Sequence, residues 1–245
     1  VISFRPHLKR TTRPFYSISG MVGVPTINHH LRAQQRMNRG KFITLEGVEG
    51  VGKSTNLSYL TDYLAAANIP FVVTREPGGT PLAEEIRAMV LAPRDEPVAP
   101  LAELLMIFAA RAQHIEQFIV PHLDAGTWVV SDRFTDATYA YQGCGRGIDT
   151  AAILELERLV QGAMQPDLTL YLDCPPEIGM ARADARAALD RIETAGMDFM
   201  NRVRAGYLAR ISQYPQRFVT IDASVALPQV KAQLIAALDA RIGSL

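Results

Sequence analysis

The feature that most constrains this chain is the stretch Gly47–Thr55, GVEGVGKST, which directly follows an apolar run at 41–46. Its spacing is glycine-x-x-x-x-glycine-lysine-serine, and it ends in Lys53, Ser54 and a further hydroxyl. Glycines let the backbone curl so that successive N–H groups point at an anion, and a helix starting here adds the positive end of its dipole. Lys53 can then reach β- and γ-phosphates, and Ser54 can offer its hydroxyl to Mg²⁺. The stretch predicts a loop that binds a nucleoside triphosphate.

Short apolar runs recur along the chain without strict alternation, which is typical of parallel strands covered on both faces. The predicted strands are 41–46, 70–75, 128–132, 168–173 and 217–222. Segments of helical period separate them. The predicted helices are 54–67, one starting from Thr80, 100–123, 150–160, 176–188, 197–211 and 228–242. This alternation predicts an α/β fold with an open, doubly wound parallel sheet flanked by helices.

Charge and cysteine content exclude several classes of protein. Lys plus Arg and Asp plus Glu both total 25, but residues 1–36 hold six basic residues and no acidic one. The part from Met37 onward is therefore acidic, which argues against nucleic acid or an anionic membrane as partner. No apolar run approaches the ~18 residues of a membrane span. Cys144 and Cys174 lack CxxC spacing, so we expect free thiols and a cytoplasmic protein.

The basic segment 1–36 needs its own interpretation. It contains arginines and scattered serines and threonines but no acidic residue, a composition typical of an organelle transit peptide. The alternative is a disordered extension without a role, because Met37 stands just before the first predicted strand. We expect the extension, followed by one domain over 37–245.

Two strand ends carry groups suited to phosphate chemistry. The run 128–132 ends in Asp132, where a carboxylate would help to hold Mg²⁺. Arg133 follows directly, and Arg75 ends the run at 70–75 before a Pro-Gly-Gly turn. The carboxyl ends of parallel strands meet at one edge of a sheet, so we expect both arginines near the loop. Two guanidinium groups there favour a second phosphate ester as acceptor.

The loop by itself leaves the function open among a switch, a motor, a transporter subunit and a kinase. The chain contains neither the Asn-Lys-x-Asp string of GTPases nor the Leu-Ser-Gly-Gly string of transporter ATPases. Asp132 alone could be a turn residue, and single arginines are commonly solvated. The segment 182–193, RADARAALDRIE, places Arg182 and Arg186 on one helical face. It is either a solvated helix or a lid that brings positive charge to the transferring phosphoryl group.

Taken together, the strings LEGVEGVGKST, TREPGGT, FAARAQH, SDRFTDATYAYQGCGRGI, LDRIE and RVRAGYL resemble bacterial thymidylate kinases in order and spacing. The resemblance covers Met37 to Ile242. It implies transfer of the γ-phosphoryl group of ATP to dTMP, with Mg²⁺, by a homodimeric kinase. The implied fold is that of a P-loop NTPase, a five-stranded parallel sheet flanked by helices, with an arginine-bearing lid at about 181–196. The rivals are a kinase for another nucleoside monophosphate and an ATP-binding switch.

The resemblance also implies roles for individual residues. Those expected to hold ATP are Gly47, Val48, Glu49, Gly50, Val51, Gly52, Lys53, Ser54, Thr55 and Arg182. Those expected to hold dTMP are Arg75, Phe108, Arg111, Arg133, Thr138, Tyr141 and Gln142. Those expected to act in catalysis are Lys53, Arg133, Arg186 and Glu49, with Ser54 and Asp132 at the metal.

Within this scheme, Arg75 and Arg133 would grip the acceptor phosphate. Glu49 would meet the sugar 3′-hydroxyl, and Tyr141 would crowd the 2′ position against ribonucleotides. Arg111 would donate to a thymine carbonyl, while Thr138 and Gln142 would line the base site.

This sequence departs from the family pattern in several places. Gly50 stands where some relatives carry an arginine, so the lid has to supply the catalytic charge. Asp184 and Ala137 replace an arginine and a serine of some relatives. The aromatic residue that stacks on thymine lies one turn before the arginine; we assign it to Phe108 rather than Ile107.

Overall fold

The computed structural model describes residues 39–184, 196–243 and 245. Its strands are β1 (Phe42–Glu46), β2 (Phe71–Arg75), β3 (Trp128–Asp132), β4 (Leu168–Asp173) and β5 (Phe218–Asp222). They form one parallel sheet in the order β2-β3-β1-β4-β5. Each predicted strand is confirmed to within one residue at its start.

The helices are α1 (Lys53–Ala66), α2 (Pro81–Leu91), α3 (Pro100–His114), α4 (Val120–Asp124), α5 (Thr135–Thr138), α6 (Thr150–Gln161), α7 (Pro176–Asp184), α8 (Met197–Gln213) and α9 (Leu227–Ile242). Two wide π-helical turns, π1 (Ile115–Ile119) and π2 (Tyr139–Gly145), join α3 to α4 and continue α5. Thr80 caps α2 by accepting a hydrogen bond from the Ala83 N–H at 3.3 Å, as its sequence predicts. The predicted α/β fold is confirmed.

The helix formed by α5 and π2 is absent from the sequence prediction. Its sequence, TDATYAYQGCG, is rich in residues of low helix propensity, and packing against α8 stabilises it instead. Glycines make this approach possible: a Cβ on Gly145 would lie 2.7 Å from the Phe199 ring, and one on Gly206 would lie 2.8 Å from the Ala140 Cα. Tertiary contact thus overrides local preference in this segment.

The strand order places the candidate site. β1 is the central strand of the sheet and lies between β3 and β4. The chain places β2 and β3 on one side of β1 and then crosses to the other side for β4 and β5. In an open parallel sheet, ligands bind beyond the carboxyl ends of the strands where the order reverses. The loop after β1 emerges at that point. The predicted extension at 1–36, Arg186 and most of the predicted lid at 181–196 lie outside the described residues.

Candidate active site

The loop between β1 and α1 is a tight curl that requires its glycines. The φ angle is +148° at Gly47, +72° at Gly50 and +86° at Gly52, values that strain any residue with a side chain. A Cβ on Gly50 would also lie 1.7 Å from the carbonyl oxygen of Gly179 in α7. Two further loop residues have side chains buried in the core, Val48 and Val51. This close approach leaves no room for an arginine at position 50.

Lys53 begins α1 and turns its ammonium group back over the loop. Nζ donates to the carbonyl oxygens of Gly47 at 3.2 Å and Val48 at 3.0 Å, and lies 3.8 Å from Glu49 Oε2. Burial and then Arg133 lower the pKa of this ammonium. Because its hydrogen-bond acceptors are neutral carbonyls, the cation gains a stronger partner when a phosphate enters the loop.

Glu49 and Arg133 form an ion pair beside the loop. Arg133 donates through Nη2 to Glu49 and through Nη1 to the Gly47 carbonyl at 2.9 Å. The Tyr141 hydroxyl donates to Glu49 at 3.3 Å, and the Tyr141 ring centroid lies 4.7 Å from Arg133 Cζ. Burial opposes ionisation of Glu49, but Lys53 and Arg133 outweigh it and lower the pKa of the carboxyl to about 2. Glu49 is therefore an anion at neutral pH.

Behind Arg133 lies a buried chain of hydrogen bonds that sequence reasoning missed. Arg133 donates to the Tyr207 hydroxyl at 3.1 Å, and that hydroxyl donates to Glu46 Oε2 at 2.8 Å. The Phe134 N–H donates to the other Glu46 oxygen at 2.7 Å. Burial, and next the charge of Asp136, raise the pKa of Glu46 to about 8. This chain ties the position of Arg133 to α8.

A cavity opens next to Glu49 and Arg133. Three predicted base-site residues line its wall, Thr138, Gln142 and Arg111. Tyr141 lines it beside Glu49. The structure thus brings six predicted site residues around one space.

Arg111 is almost fully buried and held in place by its neighbours. Nε donates to Glu76 at 2.7 Å and Nη2 donates to Thr138 Oγ1 at 2.9 Å. Glu76 also lies 3.0 Å from His114 Nδ1. The remaining nitrogen, Nη1, is buried without a hydrogen-bond partner in the described part of the chain. An unpaired buried donor is costly, so Arg111 offers one unused donor to a ligand.

Of the two residues considered for stacking on a base, the one that lines the cavity is Ile107. Phe108 packs instead into a cluster with Leu104, Tyr139 and Ile153. Its ring centroid lies 4.9 Å from Arg111 Cζ, so it supports the guanidinium group. Base stacking on Phe108 stays a prediction, and the geometry gives it no support.

Arg75 lines a neighbouring hollow together with Ser54 and Asp132. Its side chain is 55 % exposed and donates to Glu84 at 2.8 Å. Asp132 Oδ1 is buried and has no hydrogen-bond partner within 39–184 and 196–243. The two strand-end arginines therefore lie at the same edge of the sheet but face different hollows. Their convergence on one phosphate stays a prediction.

A third hollow lies on the other side of the loop. Gly50 and Gly52 line it from the loop, Thr55 from the first turn of α1, and Arg182 from α7. Arg182 donates to the Ala223 carbonyl at 2.7 Å. The loop thus separates this hollow from the cavity at Arg111.

Sequence reasoning also missed Arg87, which lines the cavity from α2. It donates to the Pro77 carbonyl at 2.8 Å. A single arginine three residues after Glu84 on an amphipathic helix looks like any solvated arginine, so the sequence offers no distinguishing signal. For Glu76 the sequence does offer a weak signal, because this residue stands between Arg75 and a proline in TREPGGT.

Comparison with known proteins identifies the arrangement. The family model described as "Thymidylate kinase" matches residues 45–234. The thymidylate kinase of Teredinibacter turnerae is 56 % identical over 201 residues, which cover 82 % of this chain and 98 % of that protein. That of Alcanivorax borkumensis is 57 % identical over 195 residues, covering 80 % and 94 %. The chain belongs to the thymidylate kinase family.

As a thymidylate kinase, the chain phosphorylates dTMP to dTDP. The crystal structure of the thymidylate kinase from Ehrlichia chaffeensis matches it with a TM-score of 0.66 at 33 % identity, covering 82 % of this chain and 99 % of that one. The family and fold expected from the sequence motifs are confirmed. No helix in the described ranges is long and apolar enough to cross a membrane.

Proposed function

We propose that this thymidylate kinase uses ATP with Mg²⁺, and that the glycine loop separates the two nucleotides. The observation that carries the proposal is the pair of hollows on either side of the loop. The acceptor dTMP occupies the cavity at Arg111, and the donor occupies the hollow at Arg182. Their phosphates meet at Lys53 and Arg133. This arrangement brings the γ-phosphate of the donor next to the acceptor phosphate for direct transfer.

The thymine ring binds at the end of the cavity between Arg111 and Gln142. The unpaired Nη1 of Arg111 donates to a thymine carbonyl, while Thr138 and Glu76 fix the guanidinium plane. A rigid buried donor discriminates strongly, because a base without the matching acceptor leaves it unpaired. Ile107 packs on the ring from the cavity wall, and Phe108 backs Arg111.

The sugar and the acceptor phosphate lie nearer the loop. Glu49 accepts from the 3′-hydroxyl, since its low pKa keeps it an anion. Tyr141, held between Glu49 and Arg133, blocks a 2′-hydroxyl. Arg133 and Arg87 line the cavity and contact the phosphate, and Arg75 turns from its neighbouring hollow to join them.

The side chains at the candidate metal site suit Mg²⁺. Asp132 Oδ1 is buried and unpaired within the described ranges, and Asp132 and Ser54 line the same hollow. A carboxylate and a hydroxyl next to bound phosphates suit Mg²⁺, which keeps several waters and takes few protein ligands. The residues fit, and Asp132 and Ser54 would hold the ion. When bound, Mg²⁺ neutralises the charge of the β- and γ-phosphates.

The transfer step needs positioning and positive charge rather than a strong base, because a phosphate acceptor is already anionic near neutral pH. Lys53 leaves the loop carbonyls for the donor phosphates. Arg133 stays anchored by Tyr207 while it contacts the acceptor. Arg186, which lies outside the described residues, supplies further charge from the predicted lid.

A coupled ADP-release assay across a panel of monophosphates tests the proposal. We expect fast turnover with ATP and dTMP in the presence of Mg²⁺, slower turnover with dUMP, and little with CMP or AMP. Fast turnover with another monophosphate would instead indicate a different nucleotide kinase. ATP binding without any turnover would indicate the switch.

We also propose a homodimer. Leu101 and Leu105 lie one turn apart on α3 and are 57 % and 49 % exposed. Paired exposed leucines at helical spacing favour burial against another helix. The occupant is a second copy, and light scattering is expected to give twice the mass of 26.9 kDa. Replacing both leucines by glutamate is expected to give the single mass.

A further inference from the structure

The side-chain amide of Gln142 is fixed at one end by a buried carboxylate. Its Nε2 donates to Glu103 Oε1 at 2.8 Å. Both residues are almost completely buried, at 3 % and 1 % exposure. Gln142 lines the cavity, whereas Glu103 lies behind it. Within the described residues the amide oxygen makes no hydrogen bond, so it is the end of the amide left for a ligand.

The chemistry of Glu103 decides which way the amide points. Arg146 flanks the carboxylate, with Nε at 3.4 Å and Nη2 at 3.5 Å, and Arg146 is itself stacked 4.7 Å over the Phe199 ring. A carboxylate only accepts hydrogen bonds. Turning the Gln142 amide over would set its oxygen against the Glu103 oxygen and lose the hydrogen bond. The nitrogen therefore faces Glu103, and the oxygen faces the cavity.

The cavity consequently presents one acceptor and one donor to a base. Gln142 supplies the acceptor, and Arg111 supplies the donor through its unpaired Nη1. The edge of thymine has the complementary order, a carbonyl acceptor next to an N–H donor. Cytosine carries an amino donor and a bare ring nitrogen at the same positions. The step to base recognition rests on the proposed function, in which this cavity holds the base.

We propose that Glu103 is a positioning residue that sets base specificity by fixing the orientation of the Gln142 amide. Glu103 touches no substrate. It acts through Gln142, because the carboxylate forbids the orientation that would present an amide N–H to cytosine. Discrimination of this kind weakens the binding of cytosine as well as strengthening the binding of thymine.

Glu103→Gln tests the proposal with little change of shape. A glutamine can either accept from or donate to Gln142, so the amide becomes free to turn. We expect the ratio of kcat/KM for dTMP to kcat/KM for dCMP to fall about tenfold, the effect of freeing one hydrogen bond. Arg111 still rejects dCMP, so the preference is reduced rather than lost. A merely structural defect would lower both activities and leave the ratio unchanged.

Two further variants sharpen the experiment. Glu157→Gln is the matched control, because Glu157 is also buried and accepts from a glutamine, Gln165, and from Tyr139, outside the cavity lining. It is expected to leave the ratio unchanged. Glu103→Asp keeps the charge near Arg146 but withdraws the carboxylate by one methylene. It is expected to lower the ratio in the same direction as Glu103→Gln, and it serves as the test should that variant fail to fold.

The outcomes separate the proposal from the function on which it rests. A dTMP-to-dCMP ratio of kcat/KM that stays at the wild-type value in both folded Glu103 variants overturns the role of Glu103 and leaves the function intact. An equal fall of the ratio in Glu157→Gln also overturns it. A wild-type enzyme that prefers dCMP overturns the base assignment itself, and the role of Glu103 falls with it.

Discussion

Replacing Glu46 by glutamine is expected to change how the free energy of unfolding varies with pH. The Glu46 carboxyl is fully buried, accepts from the Phe134 N–H and the Tyr207 hydroxyl, and has a pKa raised to about 8 by burial and Asp136. Like the protonated carboxyl, a glutamine side chain is neutral and combines a donor end with an acceptor oxygen. The variant therefore mimics the protonated wild-type protein and is expected to be comparably stable at low pH.

The size of the effect follows from the two pKa values. The folded protein keeps this proton up to about pH 8, whereas the unfolded chain loses it near 4.5. Between these values the folded state binds more protons, so the free energy of unfolding falls as the pH rises. Each pKa unit corresponds to about 1.4 kcal/mol, which gives a loss of about 2.5 kcal/mol between about pH 5.5 and about 7.5. The glutamine side chain does not titrate, so the free energy of unfolding of the variant does not show this loss.

Urea unfolding at a series of pH values measures the difference. The single tryptophan, Trp128, begins β3 and reports on the sheet by fluorescence. Protein concentration is held constant because dimerisation would shift the apparent stability. Groups common to both proteins cancel, and Glu155→Gln, at a side chain 72 % exposed, serves as the control. Parallel curves for wild type and Glu46→Gln across this range would refute the buried, protonated carboxyl.

Three further predictions concern the reaction. Asp132→Asn is expected to raise the Mg²⁺ concentration for half-maximal rate by about 10- to 100-fold, and an unchanged requirement would remove Asp132 from the metal site. Tyr141→Ala is expected to reduce the kcat/KM preference for dUMP over UMP by about tenfold, because space opens at the 2′ position; an unaltered preference would show that Tyr141 does not exclude ribose. Arg186→Ala is expected to lower kcat by about 10³-fold with nearly unchanged KM values, and intact turnover would contradict its role in the lid.

The fold could be predicted from the sequence because its strands are short, apolar and bounded by polar turns. The phosphate loop could be predicted because its glycines, Lys53 and Ser54 stand at a fixed spacing. The helix over Thr135–Gly145 could not, since its stability comes from close packing on α8 through Gly145 and Gly206 rather than from local periodicity.

Site residues that belong to a sequence motif could be predicted. Residues whose role depends on how the chain packs in three dimensions were harder to predict. Arg111 and Gln142 could be named, but their buried partners Glu76 and Glu103 are acidic residues whose burial becomes visible only in three dimensions. Helix geometry determines which of Phe108 and Ile107 faces the cavity. Ile107 lies four residues before Arg111 and lines the cavity, while Phe108 faces the cluster behind it.

A crystal structure with dTMP, ADP and Mg²⁺ tests the placement of the two nucleotides most directly. We expect the thymine carbonyl within hydrogen-bond distance of Arg111 Nη1, the ring N–H opposite the Gln142 amide oxygen, and the ADP base in the hollow lined by Arg182. Density for thymine in the Arg182 hollow, or a thymine that makes no contact with Arg111, would contradict the placement of donor and acceptor on opposite sides of the glycine loop.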